Sequence, residues 1–210
     1  EEAERDVAIA YQVNALGPYH IARAAFMLGI PILHMSTDYV FPGTKKNGYT
    51  EDDETCPQNV YGASKEAGEK LVRIANPKHW IVRTSALFGI HAGNGKGGSK
   101  GYNFVTQMLA RAKEIKEVKG GSEIRMVSDQ WTVPTYTLDL ANGVRTLLLR
   151  NIPYGTYHLV NEGSVTWFDF AREIFRITGF SPKIKKITTG ESRTTIKRPK
   201  RSILKNQKLK

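Results

Sequence analysis

Between Gly29 and Ser85 the chain alternates two kinds of periodicity, and that alternation restricts the fold more than any other feature. "PILHMS" (Pro31 to Ser36) and "HWIVRTS" (His79 to Ser85) are short runs of apolar, β-branched and aromatic residues, the pattern of strands. A helical stretch precedes each. The first runs from the start to Leu28, through Val7, Ala10, Tyr11, Asn14 and Leu16, with a bend expected at Gly17-Pro18 and a C′ glycine at Gly29. The second is "NVYGASKEAGEKLVRIA" (Asn59 to Ala75), closed by Asn76 and Pro77. Parallel neighbours need long crossovers, which helices supply. The expected class is therefore α/β, a Rossmann-like doubly wound and mostly parallel sheet.

Downstream the rhythm loosens. "GIHAGNGKGGSKG" (Gly89 to Gly101) is glycine-rich, but its spacing is not that of a P-loop, and it reads as a surface loop. A helix from Asn103 to Glu117 follows, then a strand at "SEIRMV", a helix at "TLDLANGVRTLLLR", a strand at "GTYHLV" and a helix at "TWFDFAREIFRITG". This divides the chain into residues 1–90, the remainder of a dinucleotide-binding domain to which 102–150 contribute partly, and residues 91–210, a mixed segment. The latter holds a small C-terminal α/β substrate lobe and a basic tail. A doubly wound nucleotide-binding domain opens on a strand, a tight glycine turn and a helix N-terminus, whereas this chain opens in mid-helix. The reading is an N-terminally truncated fold lacking its leading two βα units, about 60–70 residues at roughly 30 per unit.

Composition narrows the function classes. With 210 residues and 40% hydrophobic content the chain can bury a core. No apolar run approaches the roughly 18 residues of a membrane span, and "EEAERDVAIA" is acidic where a signal peptide is basic, so a cytoplasmic protein with no membrane contact is expected. A single cysteine, Cys56, excludes an internal disulfide framework and a cysteine-based zinc cluster. His20, His34, His79, His91 and His158 show no ligand spacing, so no metal site is expected; His34 reads as a satisfied core residue. The net charge of +11 is unevenly spread. Of 31 Lys and Arg and 20 Asp and Glu, residues 181–210 hold 11 bases and one acid, leaving 20 against 19 over residues 1–180. That terminal segment lacks the aromatic interleaving of base stacking, and an exposed tail or an anionic-ligand contact accounts for it better than nucleic-acid binding.

Chemistry concentrates in "STDYVFPG" (Ser36 to Gly43). In open α/β sheets ligands bind beyond the carboxyl ends of the strands, where Ser36, Thr37, Asp38 and Tyr39 project. On the next helix Tyr61 and Lys65 are spaced i, i+4 and share a face. An ammonium beside a phenol favours the phenolate, lowering the tyrosine pKa toward working pH and making it an acid or base for carbonyl reduction. The Thr37 hydroxyl would polarise the same oxygen. Asn14 would position a lysine-bound water or brace its own backbone. Trp167, Phe168, Phe170 and Ile174 recur at helical spacing and read as core, and Asp52, Asp53 and Glu54 as a solvated loop.

Taken in order, "VNALGPYHIARAA", "STDYVFPG", "YGASKEAGEK", "RTSALFG", "DQWTVPTYTLDLA" and "RPKRSIL" resemble successive segments of dTDP-4-dehydrorhamnose reductase, an extended short-chain dehydrogenase/reductase. The resemblance runs from Ala3 to Leu204. It implies reduction of the 4-keto group of a nucleotide-linked 6-deoxysugar with NADPH or NADH, in the making of activated L-rhamnose. By the same resemblance Thr37, Tyr61 and Lys65 are catalytic, and Tyr61, Lys65, Thr84 and Ser85 meet the cofactor. Asp38, Tyr39, Asn103, Gln130 and Thr135 line the substrate side, and a homodimer is left open. A nucleotide-sugar epimerase or dehydratase, or a non-catalytic reductase-like subunit of methionine adenosyltransferase, are the alternatives. The chain alone, without the phosphate-binding turn, is expected to be inactive.

Two departures stand out. Where the family carries a tryptophan after "RTS" this chain has Ala86, which puts the substrate's identity in question; Trp131 either restores aromatic surface or packs beneath it. The segment beyond "RPxxS" is also short, and the glycine fingerprint that separates NAD from NADP lies outside the chain.

Overall fold

The computed structural model describes residues 2–90, 103–117, 123–192 and 194–209. The opening helical stretch comes in pieces: α1 (Glu2–Arg5), α2 (Val7–Tyr11), a π turn (Gln12–Leu16) and α3 (Gly17–Met27). The expected irregularity at Gly17-Pro18 takes the form of this wide turn. Pro18 has no N–H for the carbonyl one turn back, and the widened winding, with Gly17 N donating to Gln12 O, accommodates the loss.

Then follow β1 (Ile32–Thr37), a 3-10 turn (Asp38–Val40), α4 (Val60–Ala75) and β2 (His79–Thr84). The remaining elements are β3 (Leu87–Phe88), α5 (Phe104–Glu117), β4 (Ile124–Val127), β5 (Trp131–Thr132), β6 (Thr135–Tyr136), α6 (Thr137–Leu149), β7 (Gly155–His158), β8 (Val165–Thr166), α7 (Trp167–Thr178), β9 (Ile184–Ile187) and β10 (Arg201–Ser202).

The main sheet runs β1-β2-β7, all parallel, with Ser36 opposite Arg83 and Arg83 opposite His158. Ile81 enters a cluster with Ala22 of α3 and Val72 and Ala75 of α4. Its neighbours Trp80 and Val82 enter another with Leu140 and Leu147 of α6. Helices therefore cover both faces, which is why "WIV" is continuously apolar and why the sheet is doubly wound. A second lobe pairs β4 with β9 in parallel and packs α5 and α7 around Met108, Ile124, Phe168, Ala171, Ile174 and Phe175. Trp167 and Phe170 lie against that core, as their helical spacing implies. Thr166 caps α7 and Gly179, at φ 73°, ends it. β5 sits between β10, parallel, and β8, antiparallel, while β3 pairs β6.

Two readings of organisation change. The division at residue 90 is crossed further than the partial contribution of 102–150 implied: α6 packs on the main sheet while α5 joins the second lobe, and β7, at 155–158, completes the main sheet. The basic terminal segment is not a loose tail. β9 and β10 are sheet members, Leu204 is 3% exposed in a core with Phe41 and Tyr49, and the buried Glu51 carboxylate accepts from His158 N, Gln207 N and Lys208 N at 3.2, 3.1 and 3.3 Å. Its described lysines are exposed while Ile187, Ser202 and Leu204 are buried, so charge alone misled. Asp52 and Asp53 pair with Lys208 and Lys45, each at 2.7 Å. The glycine-rich loop from His91 onward lies outside the described residues.

Candidate functional site

The site forms where β1 and β2 end and α4 begins. Thr37 and Thr84 are paired in register at the carboxyl end of the sheet, both buried. Thr37 Oγ1 accepts from Tyr39 N at 3.2 Å, starting the 3-10 turn, and donates to Asp38 Oδ1 at 3.0 Å. Asn59 caps α4 by accepting from Gly62 N at 2.8 Å, which sets Tyr61 in the first turn beside that turn. The Tyr39 and Tyr61 rings meet edge to face, centroids 6.0 Å apart. A Cβ at Gly62 would overlap the Tyr39 carbonyl oxygen, so only glycine permits this approach of helix to turn.

The electrostatics depart from expectation at one point. Burial raises the Tyr61 phenol above its ordinary range, the nearby Thr37 hydroxyl partly offsets this, and the Asp38 charge adds to the rise. Lys65 does not pull the phenol down: its ammonium donates to Met35 O at 2.6 Å. Burial lowers Lys65 and the Glu69 charge opposes that. Tyr61 is thus a protonated phenol at neutral pH, and since it stays 39% exposed its flank is open to a ligand. Burial lifts Asp38 to about 6 and Tyr39 to about 12.

The other expected residues are distributed as follows. Ser85 donates to Val133 O at 2.8 Å, while Thr84 Oγ1 is buried with no partner among the described residues. That unpaired hydroxyl, in register with Thr37, fits a polar group bound at this edge. Asn103 caps α5, accepting from Thr106 N at 2.9 Å and donating to Gly89 O at 2.8 Å. Gln130 and Thr135 are 3% and 1% exposed and donate to Thr189 Oγ1 and Val133 O, so both brace the walls. Thr135 lines a cavity of about 290 Å³ under α6, with Leu140 and Leu159, that the trio of Thr37, Tyr61 and Lys65 does not line. Ala86 adopts φ 42°, unusual for a residue with a Cβ, and its carbonyl accepts from Thr135 N. Trp131 is half-buried on β5. Asn14 donates to Ser64 Oγ at 3.1 Å, tying the π turn to α4 and not bracing its own backbone. His34 is a core residue as read, but its Nε2 has no partner among the described residues.

Sequence reasoning overlooked what lies beneath α4. Glu69, fully buried, accepts from Ser36 Oγ at 2.6 Å, from Arg83 Nε and Nη2 at 2.9 and 2.7 Å, and from Arg73 Nη2 at 3.0 Å. The signal available was spacing: 61, 65 and 69 repeat at i, i+4.

Fold and site together define a Rossmann-like α/β protein presenting a hydroxyl, a phenol and an amine at one sheet edge. The chain belongs to the family described as the RmlD substrate binding domain, whose model matches residues 1–210. It is 38% identical to the spore coat polysaccharide biosynthesis protein SpsK of Bacillus subtilis over 97% of this chain and 66% of that protein. It is also 38% identical to the dTDP-4-dehydrorhamnose reductase of Aggregatibacter actinomycetemcomitans, over 97% of this chain and 68% of that one. Among solved structures, the Bacillus anthracis dTDP-4-dehydrorhamnose reductase in complex with NADP superposes with a TM-score of 0.87 at 38% identity, covering 98% of this chain and 68% of that chain. The chain thus spans about two thirds of the length of these relatives.

Proposed function

We propose that the protein carrying this chain reduces the 4-keto group of a nucleotide-linked 6-deoxysugar, as its dTDP-4-dehydrorhamnose reductase relatives are named for doing. The observation that supports this most is the meeting of Thr37, Tyr61 and Lys65 at one sheet edge, with Tyr61 held protonated. A bound NADPH or NADH supplies the hydride, and Lys65, Tyr61, Thr84 and Ser85 are the residues that would hold it. The cofactor fits the unpaired Thr84 hydroxyl at that edge. Tyr61 gives its phenolic proton to the oxygen of the reduced carbonyl; a raised pKa suits a group that must arrive protonated. The Thr37 hydroxyl, whose one hydrogen lies on Asp38 Oδ1 in the unliganded chain, turns it to the same oxygen and fixes its place. Lys65, anchored on Met35 O, holds its ammonium at this edge, where it meets the cofactor.

Asp38 and Tyr39 shape the substrate side in this reading, and Asn103, Gln130 and Thr135 hold the walls around it. The small Ala86 leaves more room beside the sugar than the family's tryptophan. The described residues contain no helix long and apolar enough to cross a membrane, and we infer a cytoplasmic enzyme. A homodimer belongs to the same reading and is checked by light scattering. Tyr61→Phe is expected to reduce turnover of a dTDP-4-keto-6-deoxysugar by at least about 100-fold while the reduced nicotinamide still binds, followed by nicotinamide fluorescence. Wild-type turnover in that variant would remove Tyr61 from the mechanism. Net oxidation of the nicotinamide distinguishes this reaction from epimerisation or dehydration.

A further inference from the structure

Toward the carboxyl ends of its strands the sheet face under α4 changes from apolar, at Ile81, to polar. Ser36 on β1 and Arg83 on β2 are register partners on that face, and both reach the Glu69 carboxylate. Arg73, one turn further along α4, bonds both Glu69 and Thr156 Oγ1 on β7, each at 3.0 Å. One carboxylate thus ties α4 directly to two strands and, through Arg73, to the third. Its position along the chain matters. Ser36 immediately precedes Thr37, Arg83 immediately precedes Thr84, and Glu69 lies one turn beyond Lys65 and two beyond Tyr61 on the same helical line. A bidentate guanidinium–carboxylate pair has a narrow geometry, so it transmits position rather than merely attraction.

We propose that Glu69 is a positioning residue of this site: its buried carboxylate sets where α4 presents Tyr61 and Lys65 against Thr37, with its negative charge one helical turn from the Lys65 ammonium. This rests on the reductive reading of the trio. The groups facing Lys65 are few. Tyr61 and Glu69 share its helix; His34 comes from β1 and is uncharged at neutral pH, burial and the Lys65 charge lowering it to about 4. Arg73 and Arg83 share the single charge of Glu69, so one anion stands among three cations here, and Asn14 from the π turn brings an uncharged amide bonded to Ser64. Glu69 is therefore the anion available to Lys65 among the described neighbours. A pair serving the core alone would leave the titration of Lys65 untouched when altered.

The test uses Glu69→Gln, Glu69→Asp and Ser36→Ala in the protein that carries this chain, with folding checked by circular dichroism. Keto-sugar reduction is followed against pH, and Lys65 is labelled competitively with acetic anhydride over the same pH series and read by mass spectrometry. For Glu69→Gln, kcat should fall about 10–100-fold with KM within about twofold. The Lys65 labelling midpoint and the alkaline limb of the rate profile should both move to lower pH. Glu69→Asp keeps the charge and should return the midpoint to the wild-type value with part of kcat. Ser36→Ala, which leaves the charge in place, should lower kcat about tenfold without moving the midpoint. A folded Glu69→Gln protein with wild-type kcat and midpoint would overturn the proposal. If that variant does not fold, an unchanged kcat in Ser36→Ala does so. Labelling needs no turnover, so a wild-type protein inert toward keto sugars would sink the functional reading while the midpoint still decides the role of Glu69.

Discussion

His34 within β1 and Asp38 in the turn just after it are both buried, and burial shifts them in opposite directions. Burial raises Asp38 to about 6, so the folded protein keeps that proton where the unfolded chain has released it. Its effect is a loss of stability as pH rises from about 4 to about 6. Burial lowers His34 to about 4, so the unfolded chain takes up a proton that the folded one refuses, and stability is lost as pH falls from about 6.5. The two slopes oppose one another across the same window. Asp38→Asn removes one of them. Relative to wild type, the variant is expected to gain about 3 kcal/mol of unfolding free energy between pH 4 and pH 7, because a carboxyl that holds its proton to a pH about two higher in the folded chain than in the unfolded one costs nearly that much. Urea titrations at several pH values would measure it, and a difference independent of pH would refute the assignment.

The decisive element is α4. Its glycines show how closely it is seated: a Cβ at Gly68 would overlap the Asn14 carbonyl oxygen, and one at Gly62 the Tyr39 carbonyl oxygen. Both obstacles are backbone, which cannot rotate aside. Gly68→Ala should therefore cost about 1–3 kcal/mol despite the better helix propensity of alanine, and thermal unfolding measures this directly. Gly62→Ala should cost a similar amount and also displace Tyr61, so its loss of turnover should exceed that of Gly68→Ala. Equal activity in the two variants would argue against the seating described. The helix itself is plain in the sequence, from its Asn59 cap to Asn76. The polar floor beneath it is not, because Ser36, Glu69, Arg73 and Arg83 come from three separate segments, and no local pattern says that their side chains meet.

At the scale of the molecule, the terminal basic segment ties the structure together. It supplies β9 to the second lobe and β10 to β5, and Leu204 to the core beneath Phe41. Trypsin, which cuts after lysine and arginine, is expected to spare Lys185, Lys186, Lys200 and Arg201 in the native protein, since cleavage needs a stretch of chain pulled free of its pairing. Early cuts at these positions in a limited digest would show that the segment is loose after all.

Periodicity and residue type were enough to establish alternating helices and strands, a parallel sheet, and a polar cluster at a strand end facing Tyr61 and Lys65. Those features are local: they depend on neighbours within a few positions, and burial on one or two faces writes them into the chain. The two-residue strands, the pairing of β9 and β10, the return of β7 to the first sheet and the Glu69 network depend on segments far apart. So does the protonation of Tyr61, which follows from what surrounds the phenol and not from the lysine one turn away. Charge and spacing name the candidates, but hydrogen bonding and desolvation act through space, and only the packed chain brings those partners together.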